Sequence, residues 1–232
     1  MRKLSELMRM NPGDLKRLVW YRLVMGGAGQ NDPFKQLNRM HMLKDPWRID
    51  APGEHPRHQE TNRVLESVFG RVGTMLEVGS GEGVQSEYLS RLCDRLTGLE
   101  TSPRAFKRAK KRVPTLDLLP GQLAQQTWAG EMGKFDVVVA AEVINHMGDV
   151  PAILDNFSRL GRGCLVTFFA QNRSPLDPIV NAIPGVQTTM IRFGDKSEKQ
   201  SVVAWWAGCR ENRMAPPGEN ALMPRPLSSV AA

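Results

Sequence analysis

Residues 75–85 read MLEVGSGEGVQ, a short apolar run that breaks into a loop with glycine at Gly79, Gly81 and Gly83. Glycines so spaced let a backbone turn sharply and approach a ligand closely. A dinucleotide turn would read G-x-G-x-x-G, its third glycine allowing helix to pack tightly on strand. Gly79 and Gly81 fit that pattern, but Val84 stands where the third glycine belongs. Glu77 lies two residues ahead of the first glycine. A carboxylate there would repel a pyrophosphate and would suit a ligand with a positive end, such as an amino group or a sulfonium.

Outward from the loop, apolar spacing alternates between helical and strand periods. Residues 59–70, QETNRVLESVFG, put Val64, Leu65, Val68 and Phe69 on one helical face and end at a glycine. A buried strand follows over 73–79, then a helix over 84–96 and a second strand over 95–100 that ends in Glu100. Ser102-Pro103 makes a helix start, an N-cap with proline at the first helical position. Residues 116–122 form a weaker strand. Residues 135–143, FDVVVAAEV, are an uninterrupted run suited to a strand covered on both faces. A helical stripe over 149–161 and a fifth strand over 162–170 complete the alternation. Residues 188–194 and 200–208 read as a closing pair joined by the turn DKSEK. The pattern predicts an α/β fold, a doubly wound Rossmann-like sheet, mostly parallel with an antiparallel closing strand, plus an N-terminal helical segment. In such sheets ligands bind beyond the carboxyl ends of the strands, where strand order reverses.

The chain has 232 residues, 41% of them apolar and 24% charged, which suits a globular domain with appendages. Residues 1–60 read as a helical or lid segment, 61–209 as the ligand-binding domain, and 210–232 as a Pro-rich, polar, disordered tail. No run of about 18 apolar residues occurs, and the first residues, MRKLSELMRMNPGDL, lack the apolar stretch of a leader. Cys93, Cys164 and Cys209 are odd in number and lack metal-ligand spacing. Free thiols and a cytoplasmic location are the expectation.

Glu100 ends its strand where a carboxylate can accept both hydroxyls of a ribose, a group shared by nicotinamide and adenosyl ligands. The strings LEVGSGEGVQSEYL, GLETSPRAFKRAKKRV and FDVVVAAEVINHM, in this order and spacing, resemble the class I S-adenosylmethionine-dependent methyltransferases over residues 61–170. DPWRIDAPGEHPRH just upstream, with AEV ending the fourth strand, resembles the nodulation-type (NodS-like) N-methyltransferases, which methylate an amino sugar. The resemblance implies S-adenosyl-L-methionine as cofactor. It implies Gly79, Ser80, Gly81 and Gly83 around the methionyl part with Glu77 nearby, and Glu100 on the ribose beside Thr101. Gln122 falls where the family has an aspartate for the adenine amino group, with Leu123 against the ring. Glu142, Val143 and Ile144 would end the fourth strand beside the cofactor.

Methyl acceptors must shed a proton, and His146 in AEVINHM is the candidate base, four residues after Glu142. A histidine that merely packs under the cofactor is the alternative. His55 and His58 in EHPRH have no further ligand cluster, and Pro56 argues against a helical pair, so no metal is expected. Trp47, Arg57 and His58 would instead fold over cofactor or substrate, or form an ordinary loop. KRAKKR at 107–112 reads as a solvated helix face or as a polyanion footprint without stacking aromatics. The basic, apolar-rich N-terminal segment reads as a helix packed over the core or capping the site, or as one lying on an anionic membrane. Trp205 and Trp206 could line an acceptor pocket or simply be sheet residues.

The acceptor expected is an amine or hydroxyl of a small molecule, sugar or glycan. A nicotinamide oxidoreductase is opposed by Glu77 and Val84. A nucleic-acid methyltransferase would commonly show Asn/Asp-Pro-Pro-Tyr/Phe after the fourth strand, where this chain has AEVINHM.

Overall fold

A computed structural model describes residues 12–25, 33–194 and 198–208. The tail expected to be disordered, Cys209 and most of the DKSEK turn lie outside the described residues. Two helices come first, α1 (Pro12–Met25) and α2 (Pro33–Met40), and α3 (His55–Phe69) leads into the sheet. Strands β1 (Val72–Val78), β2 (Cys93–Glu100) and β3 (Asp117–Pro120) alternate with α4 (Val84–Leu89) and α5 (Pro103–Arg112). Strand β4 (Phe135–Ala141), α6 (Val150–Leu160), β5 (Gly161–Phe169), α7 (Arg173–Asn181), β6 (Gln187–Phe193) and β7 (Lys199–Ala207) follow.

The seven strands run in the order β3-β2-β1-β4-β5-β7-β6. β1 pairs in parallel with both β2 and β4, and β7 lies antiparallel between β5 and β6. Strand order therefore reverses between β1 and β4, and a crevice opens at their carboxyl ends. Alternate residues feed two cores. Val138 and Ala140 of β4 face the layer of α6 and α7, while Val137 and Val139 face that of α3 and α5. β7 divides likewise, Trp206 to the first core and Trp205 to the second, and neither ring lines the crevice.

Two boundaries differ from the sequence pattern. The helix read over 84–96 stops at Leu89, and β2 begins at Cys93. Parallel pairing with β1, from Val72 opposite Cys93 onward, draws Leu92 and Leu96 into the sheet region instead of a helical stripe. The helix read from residue 59 begins at His55, because Pro56 sits in its first turn, where a missing N–H costs nothing. Pro56 thus does not keep His55 and His58 off a helix.

Candidate active site

The crevice is a cleft of about 660 Å³. On one wall β1 delivers Glu77 and the glycine loop. Glu77 is 1% exposed, Ser86 Oγ donates to its Oε2, and burial pushes its carboxyl up to about 7. A Cβ on Gly79 (φ 79°) would come within 2.7 Å of Val143 Cγ2, so the loop rests on the residues just after β4. A Cβ on Gly81 would meet nothing within 4 Å, which leaves that backbone open to the cleft.

Gly83 has another task. A Cβ there would lie 3.0 Å from the Cα of Ala109, so this glycine lets the start of α4 pack against α5. It is absent from the cleft wall. The packing glycine of a dinucleotide turn is therefore present one position early, and Val84 is a weaker discriminator than the pattern suggested.

Glu100, at the end of β2, is 7% exposed. Its Oε2 accepts the Gly81 N–H at 2.7 Å and its Oε1 the Ser102 N–H at 2.6 Å. Burial pushes this carboxyl up, and the backbone donors pull it part of the way back. Each oxygen keeps a lone pair for a further donor. Ser80, Thr101, Gln122 and buried Leu123 continue the same wall. This wall can take a ligand with a cationic end, a vicinal diol and a flat apolar end.

Residues 33–54 form a roof that the basic helix α5 holds down. Glu82, in the middle of the glycine loop, is 3% exposed and accepts the Asp45 N–H at 2.8 Å and Arg108 Nη2 at 2.9 Å. Burial pushes Glu82 up, but His41, the Asp45 amide and Arg108 outweigh it, so its carboxyl lies below the usual range. Arg108 Nη2 also donates to the carbonyls of His41 (2.7 Å) and Leu43 (3.3 Å). Arg112 pairs with Asp50 and Glu87, and Lys110 Nζ donates to Leu116 O at 2.7 Å. The reading of KRAKKR as a solvated face is corrected for Arg108 and Arg112, which bind the chain itself, while Lys107, Lys110 and Lys111 are exposed.

Trp47 and His58 also line the cleft. His58 is 1% exposed, with Nδ1 2.6 Å from Gln85 Oε1 and Nε2 2.9 Å from Ile49 O. Burial, and then the neighbouring Arg57, push its pKa down. Both ring nitrogens are thus engaged, and among the described residues no group of three or more His, Cys, Asp or Glu gathers as a metal would need.

The far half of the cleft is ionic. Arg57 is 2% exposed, its Nε donates to Glu54 Oε2 at 3.2 Å, and its guanidinium carbon lies 5.8 and 5.7 Å from the ring centres of Phe169 and Phe193. Lys199 Nζ donates to the other Glu54 oxygen at 2.6 Å. Arg57 Nη1 stands 4.0 Å from Glu142 Oε1, which also accepts from Thr167 Oγ1 and Ser201 Oγ. Glu142 adopts φ 58°, a left-handed conformation that costs a non-glycine residue about 1–3 kcal/mol. Burial pushes its carboxyl up, opposed chiefly by Arg57.

His146 ends a short 3-10 turn (Ile144–His146) and lines the cleft, with Nε2 3.1 Å from Asn145 Nδ2. His146 is exposed at the cleft, partial desolvation by the surrounding wall lowers its pKa, and its uncharged form can accept a proton. Glu54, Glu82, Gln85, Asn145 and Lys199 were not singled out from sequence. Glu82 sits inside the quoted loop, but its partners lie about 40 residues upstream and 26 downstream.

Comparison with known proteins agrees with this architecture. Residues 76–163 match the family model described as a methyltransferase domain. Nodulation protein S of Sinorhizobium fredii (strain NBRC 101917 / NGR234) is 34% identical over 125 residues, 51% of this chain and 57% of that protein. A ubiquinone biosynthesis O-methyltransferase of Methylobacterium sp. (strain 4-46) is 38% identical over 127 residues, 53% of this chain and 48% of that protein. The chain spans about half the length of the curated relatives it matches. The crystal structure of N-methyltransferase NodS from Bradyrhizobium japonicum WM9 in complex with S-adenosyl-L-homocysteine superposes with TM-score 0.62 and 25% identity. That superposition covers 78% of this chain and 100% of the other. With its reversed strand order and its acid-led glycine loop, the chain is similar in architecture to these relatives, and residues 76–163 carry the likeness to a methyltransferase domain.

Proposed function

We propose that this chain transfers a methyl group from S-adenosyl-L-methionine to an amine or hydroxyl of a small molecule or sugar. The observation that carries the reading is one cleft wall on which Glu77 and Glu100 flank an open glycine backbone at Gly81. The crystal structure of the NodS relative in complex with S-adenosyl-L-homocysteine supports the choice of donor. The curated relatives, one a nodulation protein and one an O-methyltransferase, support a small acceptor and leave both N and O in play.

Once bound, the donor supplies a methyl carbon already activated by sulfonium. The work left to the protein is largely positioning, which can be worth up to roughly 7–11 kcal/mol. In this reading the free lone pairs of Glu100 accept the ribose hydroxyls, with Thr101 beside them. Gln122 and Leu123 receive the adenine, and Glu77 faces the cationic end behind Gly79, Ser80 and Gly81. Glu142 borders the donor from the end of β4. Trp47, Arg57 and His58 close the cleft against water, and the His146 imidazole takes the acceptor's proton.

Calorimetric titration with S-adenosyl-L-homocysteine and with NADH tests the donor, and a labelled-methyl screen over amino sugars, glycans and phenols tests the acceptor. His146→Ala should lower turnover by about 10²–10⁴-fold with S-adenosyl-L-homocysteine affinity unchanged. Tight NADH binding without S-adenosyl-L-homocysteine binding would overturn the reading.

A further inference from the structure

Large apolar side chains are unevenly exposed. Among the described residues eight are exposed, and six of them, Leu15, Val19, Tyr21, Leu23, Met42 and Trp47, fall between positions 15 and 47. Leu15, Val19 and Leu23 recur every four residues, so they share one face of α1, at 40%, 49% and 64% exposure. That face is not the one docked on the protein. The docked side carries Trp20, whose Nε1 donates to Arg39 O at 3.1 Å, and Arg17, whose Nη2 reaches Lys44 O at 3.4 Å. Exposed Lys16 and Arg22 flank the apolar stripe, with exposed Lys44 and Arg48 on the adjoining turn. The sequence of α1 contains one acid, Asp14, against Lys16, Arg17 and Arg22.

We propose that this surface rests on an anionic phospholipid bilayer, so that the mouth of the cleft opens at the lipid headgroups. Charge complementarity selects this occupant. Each Lys or Arg held near an anionic leaflet adds electrostatic attraction, and the apolar stripe adds burial below the headgroups. Trp47 is of the residue type that settles at a membrane–water boundary, and it lines the cleft as well as being exposed. No described helix is long and apolar enough to cross a membrane, so the contact is with a surface. Resting on the methyl-transfer reading, the acceptor is then amphiphilic, its reactive amine or hydroxyl in the cleft and its apolar part in the bilayer.

Flotation of the full chain with vesicles tests this. The chain should float with phosphatidylcholine–phosphatidylglycerol vesicles, not with phosphatidylcholine alone, and rising salt should release it. Val19→Glu combined with Leu23→Glu should cut the bound fraction about tenfold or more. Lys16→Glu with Arg22→Glu should do the same, and it supplies the answer should the first variant misfold. Both variants should keep wild-type affinity for S-adenosyl-L-homocysteine. Absence of binding to either vesicle, equal binding by the variants, or a dimer that Val19→Glu/Leu23→Glu dissolves without any vesicle binding would each overturn the proposal. Flotation without S-adenosyl-L-homocysteine binding would instead remove the methyl-transfer reading and leave the membrane contact standing.

Discussion

Glu77 has the most telling electrostatics of any single residue in the cleft. Its carboxyl titrates near 7 in the folded protein against 4.5 for an ordinary glutamate, because burial disfavours the charge. A raised carboxylate pKa means the folded state binds the proton more tightly than the unfolded state. The associated stability is complete below about pH 4.5 and is lost as pH climbs to about 7. At 1.36 kcal/mol per pKa unit the loss is roughly 3 kcal/mol. Urea denaturation at about pH 5 and about pH 8 should show it in the wild type, and Glu77→Gln should remove that component. If a cationic donor binds beside Glu77, its affinity should rise as pH climbs towards about 7 in the wild type and stay level in Glu77→Gln. Gly79→Ala is the steric counterpart. It forces a Cβ to 2.7 Å from Val143 at a positive φ, and should cost about 1–3 kcal/mol in thermal denaturation as well as weakening donor binding. That Glu77, Gly79 and Glu100 line one cleft was legible because the pattern is local: an acid and glycines at fixed offsets within single strand ends. The task of Gly83 was not, since it depends on Ala109 of another helix.

At the scale of elements, α5 shows how a sequence pattern can be seen and still be misread. Five basic residues in six look like a face turned to water or to a polyanion. Arg108 and Arg112 instead hold the roof of the cleft, and nothing within the helix announces that Glu82, Asp50 and two carbonyls converge on them. Arg108→Ala should leave the buried Glu82 without its cation, at about 1–3 kcal/mol. Hydrogen exchange should quicken at amides of residues 41–50 while β1 and β4 stay protected, and donor affinity should fall several-fold. Arg71→Ala is the control: its pair with Asp94 is exposed at both ends and should shift neither measurement. Unchanged exchange in Arg108→Ala would show that Arg108 does not hold the roof. The short α4 has a comparable lesson. Its apolar spacing continues past Leu89, but strand pairing from Cys93 overrides helical period once β1 lies alongside.

For the whole molecule, the alternation of strands and helices was enough to read the doubly wound sheet and its antiparallel close, because strands buried on both faces carry dense β-branched runs. How the N-terminal third joins the sheet was not readable, since its partners are distant in sequence. Glu54 and Lys199 lie 145 residues apart, yet their pair and the Arg57–Glu54 bond tie the start of α3 to the start of β7. A division between residues 60 and 61 falls inside α3, separating Arg57 and His58 from Thr61, Val64 and Leu65 on one buried helix. We expect a chain beginning at Thr61 to lose the cation beside Glu142. Breaking a buried ionic network in this way costs about 3–5 kcal/mol, which for a domain of this size corresponds to a fall of about 10 °C or more in melting temperature. A chain beginning at Pro33 keeps α2, the roof and the whole of α3, and should melt close to the full-length protein. Thermal scans with and without S-adenosyl-L-homocysteine separate the two cases: the Pro33 chain should be stabilised by the ligand and the Thr61 chain should not. Ligand-dependent stabilisation of the Thr61 chain would mean that the sheet and its loops bind the donor unaided, and that residues 33–60 serve the acceptor alone.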